Sequence, residues 1–145
     1  MPRVNNQKTE DLSDDELTRL LKVIEEDKDI QIGNMMKLAL FTGMRRGSLF
    51  KLHWKDIDYE HTVIKLRDAK SGQDEYIPMN ETARNILKTH PRSGSPFVFP
   101  NNHWKMGVCV RKSTARIKKC AGISKDFRGL HGLRHVFATR LASSG

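Results

Sequence analysis

Apolar residues recur along this chain at two different spacings. Leu17, Leu20, Leu21 and Ile24 stand three and four apart, the spacing of one helix face. They follow Ser13-Asp14-Asp15-Glu16, in which a serine oxygen can accept from an N–H three residues on and the glutamate can reach back. A first helix is predicted over 14–27. A second fits Ile32, Met35, Met36, Ala39 and Leu40 and should end at Thr42-Gly43, where glycine takes the left-handed C-terminal conformation. A short third helix is predicted from Arg45 to Leu52, with Leu49 and Leu52 on one side.

The period then changes. Thr62-Val63-Ile64-Lys65-Leu66 and Glu75-Tyr76-Ile77-Pro78 are β-prone, and the polar stretch Asp68–Asp74 between them contains a glycine. This is a hairpin signature, and Pro78 suits the end of an edge strand because it cannot donate to a ladder. Asn80 can cap a helix carrying Ala83, Ile86 and Leu87. Pro91–Pro96 reads as a loop. A basic helix follows over roughly 105–121, with Val110, Ile117 and Ala121 inward and Arg111, Lys112, Arg116, Lys118 and Lys119 mostly outward. A last helix, starting near His131-Gly132, carries Leu133, Val136, Phe137 and Leu141. The fold class is α+β, mostly α, with one small antiparallel sheet. Residues 1–11 are polar and unpatterned and read as a linker or disordered terminus; 12–145 read as one domain.

Composition narrows the classes. The chain has 145 residues, a net charge of +9 and 30% charged residues, which excludes a membrane-spanning protein and a disordered tail. The N-terminus has no apolar signal-peptide core, so the expectation is a cytoplasmic, nucleoid-associated protein. Two cysteines, Cys109 and Cys120, make neither a disulfide framework nor a metal cluster. The charge is unevenly spread. Residues 1–30 hold nine carboxylates against five bases, net −4, while Thr82–Gly145 holds 13 bases against Asp126 alone, net +12. That asymmetry points to a polyanion partner, most simply nucleic acid.

Three places could carry chemistry. In Thr42-Gly43-Met44-Arg45-Arg46-Gly47, two arginines open a helix, and a guanidinium fork matches two phosphate oxygens; two solvated arginines are the plain alternative. Lys70 stands on the hairpin turn as a mobile point charge or proton donor, or as one more solvated lysine. His131, Arg134 and His135 share one helix face at i, i+3 and i+4. They read as a phosphate pocket, as helix-cap histidines, or as the start of a zinc site. Zinc is disfavoured because Gly132 stands where H-E-x-x-H needs its glutamate, and no third ligand cluster is evident.

In this order the motifs resemble the catalytic domain of a tyrosine recombinase of the phage-integrase type, over about Leu12–Gly145. They are Leu40–Gly47, Leu52-His53-Trp54-Lys55-Asp56-Ile57-Asp58, Ala69-Lys70-Ser71-Gly72, Ile77-Pro78-Met79, Phe97–Pro100 and His131–Thr139. The resemblance implies that Arg45, Lys70, His131 and Arg134 are catalytic and that His135 is an accessory. It also implies DNA breakage and rejoining through a 3′-phosphotyrosyl link, with no metal, ATP or other cofactor. The implied partners are double-stranded DNA and further recombinase protomers in a synaptic complex, with no membrane and no small-molecule substrate. Arg46, Arg111, Lys112, Arg116 and Lys119 are candidate DNA contacts on charge alone.

The chain also departs from that pattern. The family's nucleophilic tyrosine lies downstream of His-x-x-Arg, whereas the tyrosines here are Tyr59 and Tyr76, both upstream. The expectation is a catalytic domain incomplete at its C-terminus, holding the phosphate-activating residues without the nucleophile and unable to cleave alone. Ser48 stands where the family often has Glu, and Gly132 where Asp is frequent, which suggests a looser His131. A non-catalytic DNA-binding module on the same fold is the main alternative. A type IB topoisomerase relative fits the motif context less well, and a metal-dependent nuclease lacks the carboxylates it would need after Glu81.

Overall fold

A computed structural model describes residues 12–67, 75–92, 94–100 and 106–141, with backbone only at 106–109 and 140–141. Helix α1 (Asp14–Glu26) begins on the expected capping box: Glu16 N donates to Ser13 Oγ at 3.1 Å, and Ser13 N donates to Glu16 Oε1 at 2.8 Å. Its Leu20 and Ile24 are buried. Helix α2 (Ile30–Thr42) is apolar but for Gln31, Asn34, Lys37 and Thr42 and buries Ile32, Met35, Met36, Leu38, Ala39 and Leu40. A helix of that kind belongs at the centre of a core, and α1 and the three later helices α4, α5 and α6 all pack on it. It ends as predicted at Gly43, at φ 75°, whose N–H bonds Ala39 O at 3.1 Å. Helix α3 (Arg46–Lys51) follows after three residues.

The sheet has one strand more than the sequence pattern suggests. Strand β1 (Ile57–Asp58), too short to show a period of two, pairs with β2 (Val63–Leu66), which pairs with β3 (Glu75–Pro78); both pairings are antiparallel, in the order β1-β2-β3. The predicted hairpin is β2–β3, in register Ile64↔Ile77, with Pro78 on the edge strand. Its turn, with Lys70, lies outside the described residues. Just before that turn, Arg67 Nε bonds the buried Asp56 carboxylate at 2.7 Å, and His53 N donates to the same oxygen at 3.2 Å. The hairpin is thereby tied to the turn at Trp54–Asp56.

Asn80 caps α4 (Glu81–Thr89) through its side chain, as predicted, and its Nδ2 also donates to Phe41 O at 2.8 Å. At the other end of α4, buried His90 joins three segments. Nε2 donates to Val98 O at 3.0 Å, so Nδ1 is the acceptor for Asn34 Nδ2 at 2.6 Å. The described residues of Pro91–Pro96 form the expected loop, and the segment that follows it is tied into the fold. Phe97 bridges to His53 in antiparallel fashion, and Val98 and Phe99 insert into the core.

Helix α5 (Met106–Ala121) docks on α1, with Val110, Ile117 and Ala121 buried as expected. Arg19 Nε donates to Ala121 O at 2.8 Å, and Arg116 pairs with Asp27 at 2.8 Å. Part of the acidic N-terminal region therefore serves to seat the basic helix. Helix α6 (Gly129–Val136) begins two residues earlier than its apolar pattern indicates and runs into a π-helical turn, Phe137–Leu141. Among the described residues no helix is long and apolar enough to cross a membrane.

Candidate phosphate-binding cleft

Gly43 brings α2 to an end and turns the chain toward Arg45, whose extended backbone starts α3 and whose side chain is exposed. The left-handed φ of 75° suits glycine, and a Cβ there would also lie 2.5 Å from Cδ2 of Phe137. The Gly43 carbonyl accepts a hydrogen bond from Arg134 Nε at 2.8 Å. Arg134 is joined in this way to the segment that leads into Arg45, 89 positions earlier in the chain. Burial, and then the charge of Arg45, push the Arg134 guanidinium down from its ordinary value. A guanidinium titrates so high that it stays charged, so the direction records chiefly a cation taken partly out of water, with the like charge of Arg45 adding to it.

His131 is exposed one turn before Arg134 on α6. Gly132, between them, does not loosen this face. A Cβ there would lie 2.5–2.8 Å from three ring atoms of Phe127, so glycine is what lets the ring and the helix close together.

Arg45, His131 and Arg134 open into a cleft between the start of α3, one side of α5 and the turn that leads into α6. Among the described residues, eight lysines and arginines line it and no carboxylate does. Its volume of about 1410 Å³ exceeds the roughly 300–1,000 Å³ of small-molecule pockets, and its charge suits an extended polyanion.

Of the residues singled out on charge, Arg46, Arg111 and Lys119 line this cleft. Lys112 is exposed on α5 outside it, and Arg116 is turned away onto Asp27. The helical period alone cannot distinguish these faces, because which side of α5 meets α1 depends on the tertiary packing. His135 is half-buried and does not line the cleft. Lys70 lies outside the described residues.

Sequence reasoning missed Lys118, Lys125 and Arg128, which all line the cleft. Lys118, expected to face outward, is half-buried, and its ammonium donates to Lys125 O at 3.2 Å and to Phe127 O. Burial pushes its pKa down while Asp126 pulls it back up. This lysine secures the turn from which α6 starts. The net charge of +12 over Thr82–Gly145 was the available signal for all three.

Neither tyrosine lines the cleft. Tyr59 sits half-buried in the β1–β2 turn with Lys88 Nζ 5.6 Å from its ring centroid, and Tyr76 is exposed on β3. Among the described residues, no group of three His, Cys, Asp or Glu is placed to hold a metal ion.

A family model described as the phage integrase family matches residues 10–145. The chain belongs to the phage integrase family. A shufflon-specific DNA recombinase of Escherichia coli is 29% identical over 146 residues, covering 99% of this chain and 36% of that protein. Tyrosine recombinase XerA of Pyrococcus furiosus is 29% identical over 149 residues, covering 99% of this chain and 52% of that protein. The chain thus spans about half the length, or less, of these curated relatives. The crystal structure of XerA recombinase superposes with a TM-score of 0.74 at 26% identity, covering 92% of this chain and 49% of that one. The lambda integrase catalytic core superposes at 0.72 with 21% identity, covering 92% and 83%, a likeness of fold alone. The mostly helical architecture with a small antiparallel sheet is therefore that of the family's catalytic domains.

Proposed function

We propose that this chain forms the phosphate-activating part of a site-specific tyrosine recombinase acting on duplex DNA. The observation that carries the reading is the bond of Arg134 to the Gly43 carbonyl, two residues before Arg45, at the mouth of a cleft that no carboxylate lines among the described residues. When a nucleophile adds to a phosphodiester, negative charge gathers on the non-bridging oxygens. Fixed cations aimed at those oxygens stabilise that state without reorganising. Arg45 and Arg134 supply the two guanidinium forks, and His131 adds a donor from the same side of α6.

In the proposed reaction a tyrosine oxygen forms the new bond to phosphorus while the bond to the 5′ oxygen breaks, leaving a 3′-phosphotyrosyl link. The departing 5′ oxygen takes a proton, which we assign to Lys70. A 5′-hydroxyl of a second strand then attacks the link and releases the tyrosine. Tyr59 and Tyr76 stand away from the cleft, so the attacking tyrosine is supplied from outside these residues, and residues 12–145 act as a catalytic domain lacking that part. Arg46, Arg111 and Lys119 hold the flanking backbone. The partners are duplex DNA and further protomers of the whole recombinase.

The neighbouring structures support DNA as the ligand: the Tn1549 transposon integrase, similar in fold at a TM-score of 0.76, was solved in complex with circular intermediate DNA. The position of the two tyrosines favours one second reading, a DNA-binding module that does not cut. The test uses the whole parent protein and a nicked suicide duplex, with covalent protein–DNA product resolved on a denaturing gel. The expected result is an adduct whose formation Arg45→Ala and Arg134→Ala each slow by roughly 10²–10³-fold. Binding without any adduct would establish the non-cutting module instead, and near-normal adduct from either variant would remove the arginines from the mechanism.

A further inference from the structure

The hydrogen bond that orients Arg134 depends on a backbone carbonyl, and the peptide bearing that carbonyl is itself held by a side chain outside the cleft. Phe137 follows α6 as the first residue of the π-helical turn Phe137–Leu141. Phe137 N–H is still bonded to the carbonyls of Arg134 and Leu133, so the ring is fixed relative to Arg134 by the backbone. The ring covers Gly43 so closely that a Cβ there would lie 2.5 Å from Cδ2 and 2.8 Å from Cε2. One residue on α6 thus reaches the Gly43 peptide by hydrogen bond and another, three positions later, reaches it by packing.

We propose that Phe137 is a positioning residue for the phosphate clamp. It presses the Gly43 peptide into the orientation in which its carbonyl holds Arg134 Nε, and so leaves the rest of the guanidinium aimed past Arg45 into the cleft. Phe137 does not line the cleft and acts only through Gly43 and Arg134. This rests on the reading of Arg134 as a phosphate ligand given above. A matching contact secures the other end of α6, where the buried Phe127 ring closes on Gly132.

The experiment separates positioning from mere stability. Binding of the full chain to a short duplex is measured across salt concentrations, where each phosphate contact contributes about 0.9 to the slope of log affinity against log salt. Arg134→Ala is expected to flatten the slope by about one contact. Phe137→Ala should flatten it by the same amount, and the double variant should be no flatter than Arg134→Ala. Leu87→Ala, a buried change on α4, should lower the melting temperature and leave the slope alone. If Phe137→Ala does not fold, Phe137→Leu keeps an apolar side chain and should give part of the same flattening. A Phe137 variant that binds with the original slope, or whose effect adds to that of Arg134→Ala, overturns the proposal. An unchanged slope in Arg134→Ala itself overturns the phosphate reading, and this inference with it.

Discussion

Arg134 donates from Nε to the carbonyl of Gly43 at 2.8 Å, and that one hydrogen bond joins the two arginine motifs of the chain. The bond uses the nitrogen inside the side chain and leaves both terminal nitrogens free of that contact, so the fork remains for an anion. A lysine at this position would have neither the internal donor nor the fork. In the whole recombinase, Arg134→Lys and Arg134→Ala should each slow strand cleavage by roughly 10²–10³-fold, the loss typical of one donor to a developing oxyanion. Single-turnover cleavage of a suicide duplex measures it.

Gly43 carries two requirements at once. Alanine there would hold a left-handed backbone at a cost of about 1–2 kcal/mol, and its methyl would have to displace the Phe137 ring. Gly43→Ala should therefore destabilise by more than the backbone strain alone. Substituting the exposed Gly94, also at positive φ but with nothing within 4 Å of a built Cβ, should show only the strain. Chemical denaturation of the two variants tests this.

His90 gives the fold a pH dependence. Burial pushes its pKa below the ordinary value, opposed by its hydrogen bond to Val98 O. The unfolded chain therefore takes up this proton more readily than the folded one. The stability from the neutral, buried ring is complete above the unfolded value of about 6.5 and is lost as pH falls through that value toward the folded one. Melting temperature should fall over that window, and His90→Phe should flatten the curve there while costing stability at neutral pH.

Asp56 should matter to the β2–β3 hairpin through Arg67. Burial pushes the Asp56 carboxyl up, but the hydrogen bonds from Arg67 and His53 N, with the charge of Arg67, outweigh it and hold the value down. Stability from this carboxylate is present above the unfolded value of about 3.9 and is lost as pH falls below it. Asp56→Ala leaves donors unmatched, at a cost of about 1–3 kcal/mol, and should increase amide exchange along β2. Unchanged exchange at Lys65 and Leu66 would show that the pair does not secure the hairpin.

The two sides of α5 should differ in DNA binding. Lys119→Gln removes a cleft cation and should reduce the salt slope by about 0.9. Lys112→Gln and Arg116→Gln lie outside the cleft and should leave it nearly unchanged. Arg116→Gln should instead cost about 0.2–1 kcal/mol of stability through the lost pair with Asp27.

Much of this was legible because its causes are local. The Ser13 box, the Gly43 stop, the Asn80 cap and the β2–β3 hairpin each need only residues a few positions apart, and they lie where the pattern put them. Strand β1, at two residues, exists only because β2 offers it a ladder. The Phe97 bridge likewise exists only because His53 is brought beside it.

By itself the sequence determined the helices, the hairpin, the concentration of positive charge after Thr82, and the motif order that places the chain in its family. Spacing, caps and residue type carry that information within short windows. Only the tertiary structure decided which cations share one cleft: Lys118, Lys125 and Arg128 join Arg45 and Arg134, while Arg116 is turned onto Asp27. It also decided that Gly132 is tight and that Gly43 serves Arg134. The physical reason is that these facts depend on contacts between distant segments. Such contacts arise only when α2 is surrounded by its partners, and no period along the chain records which face will meet which.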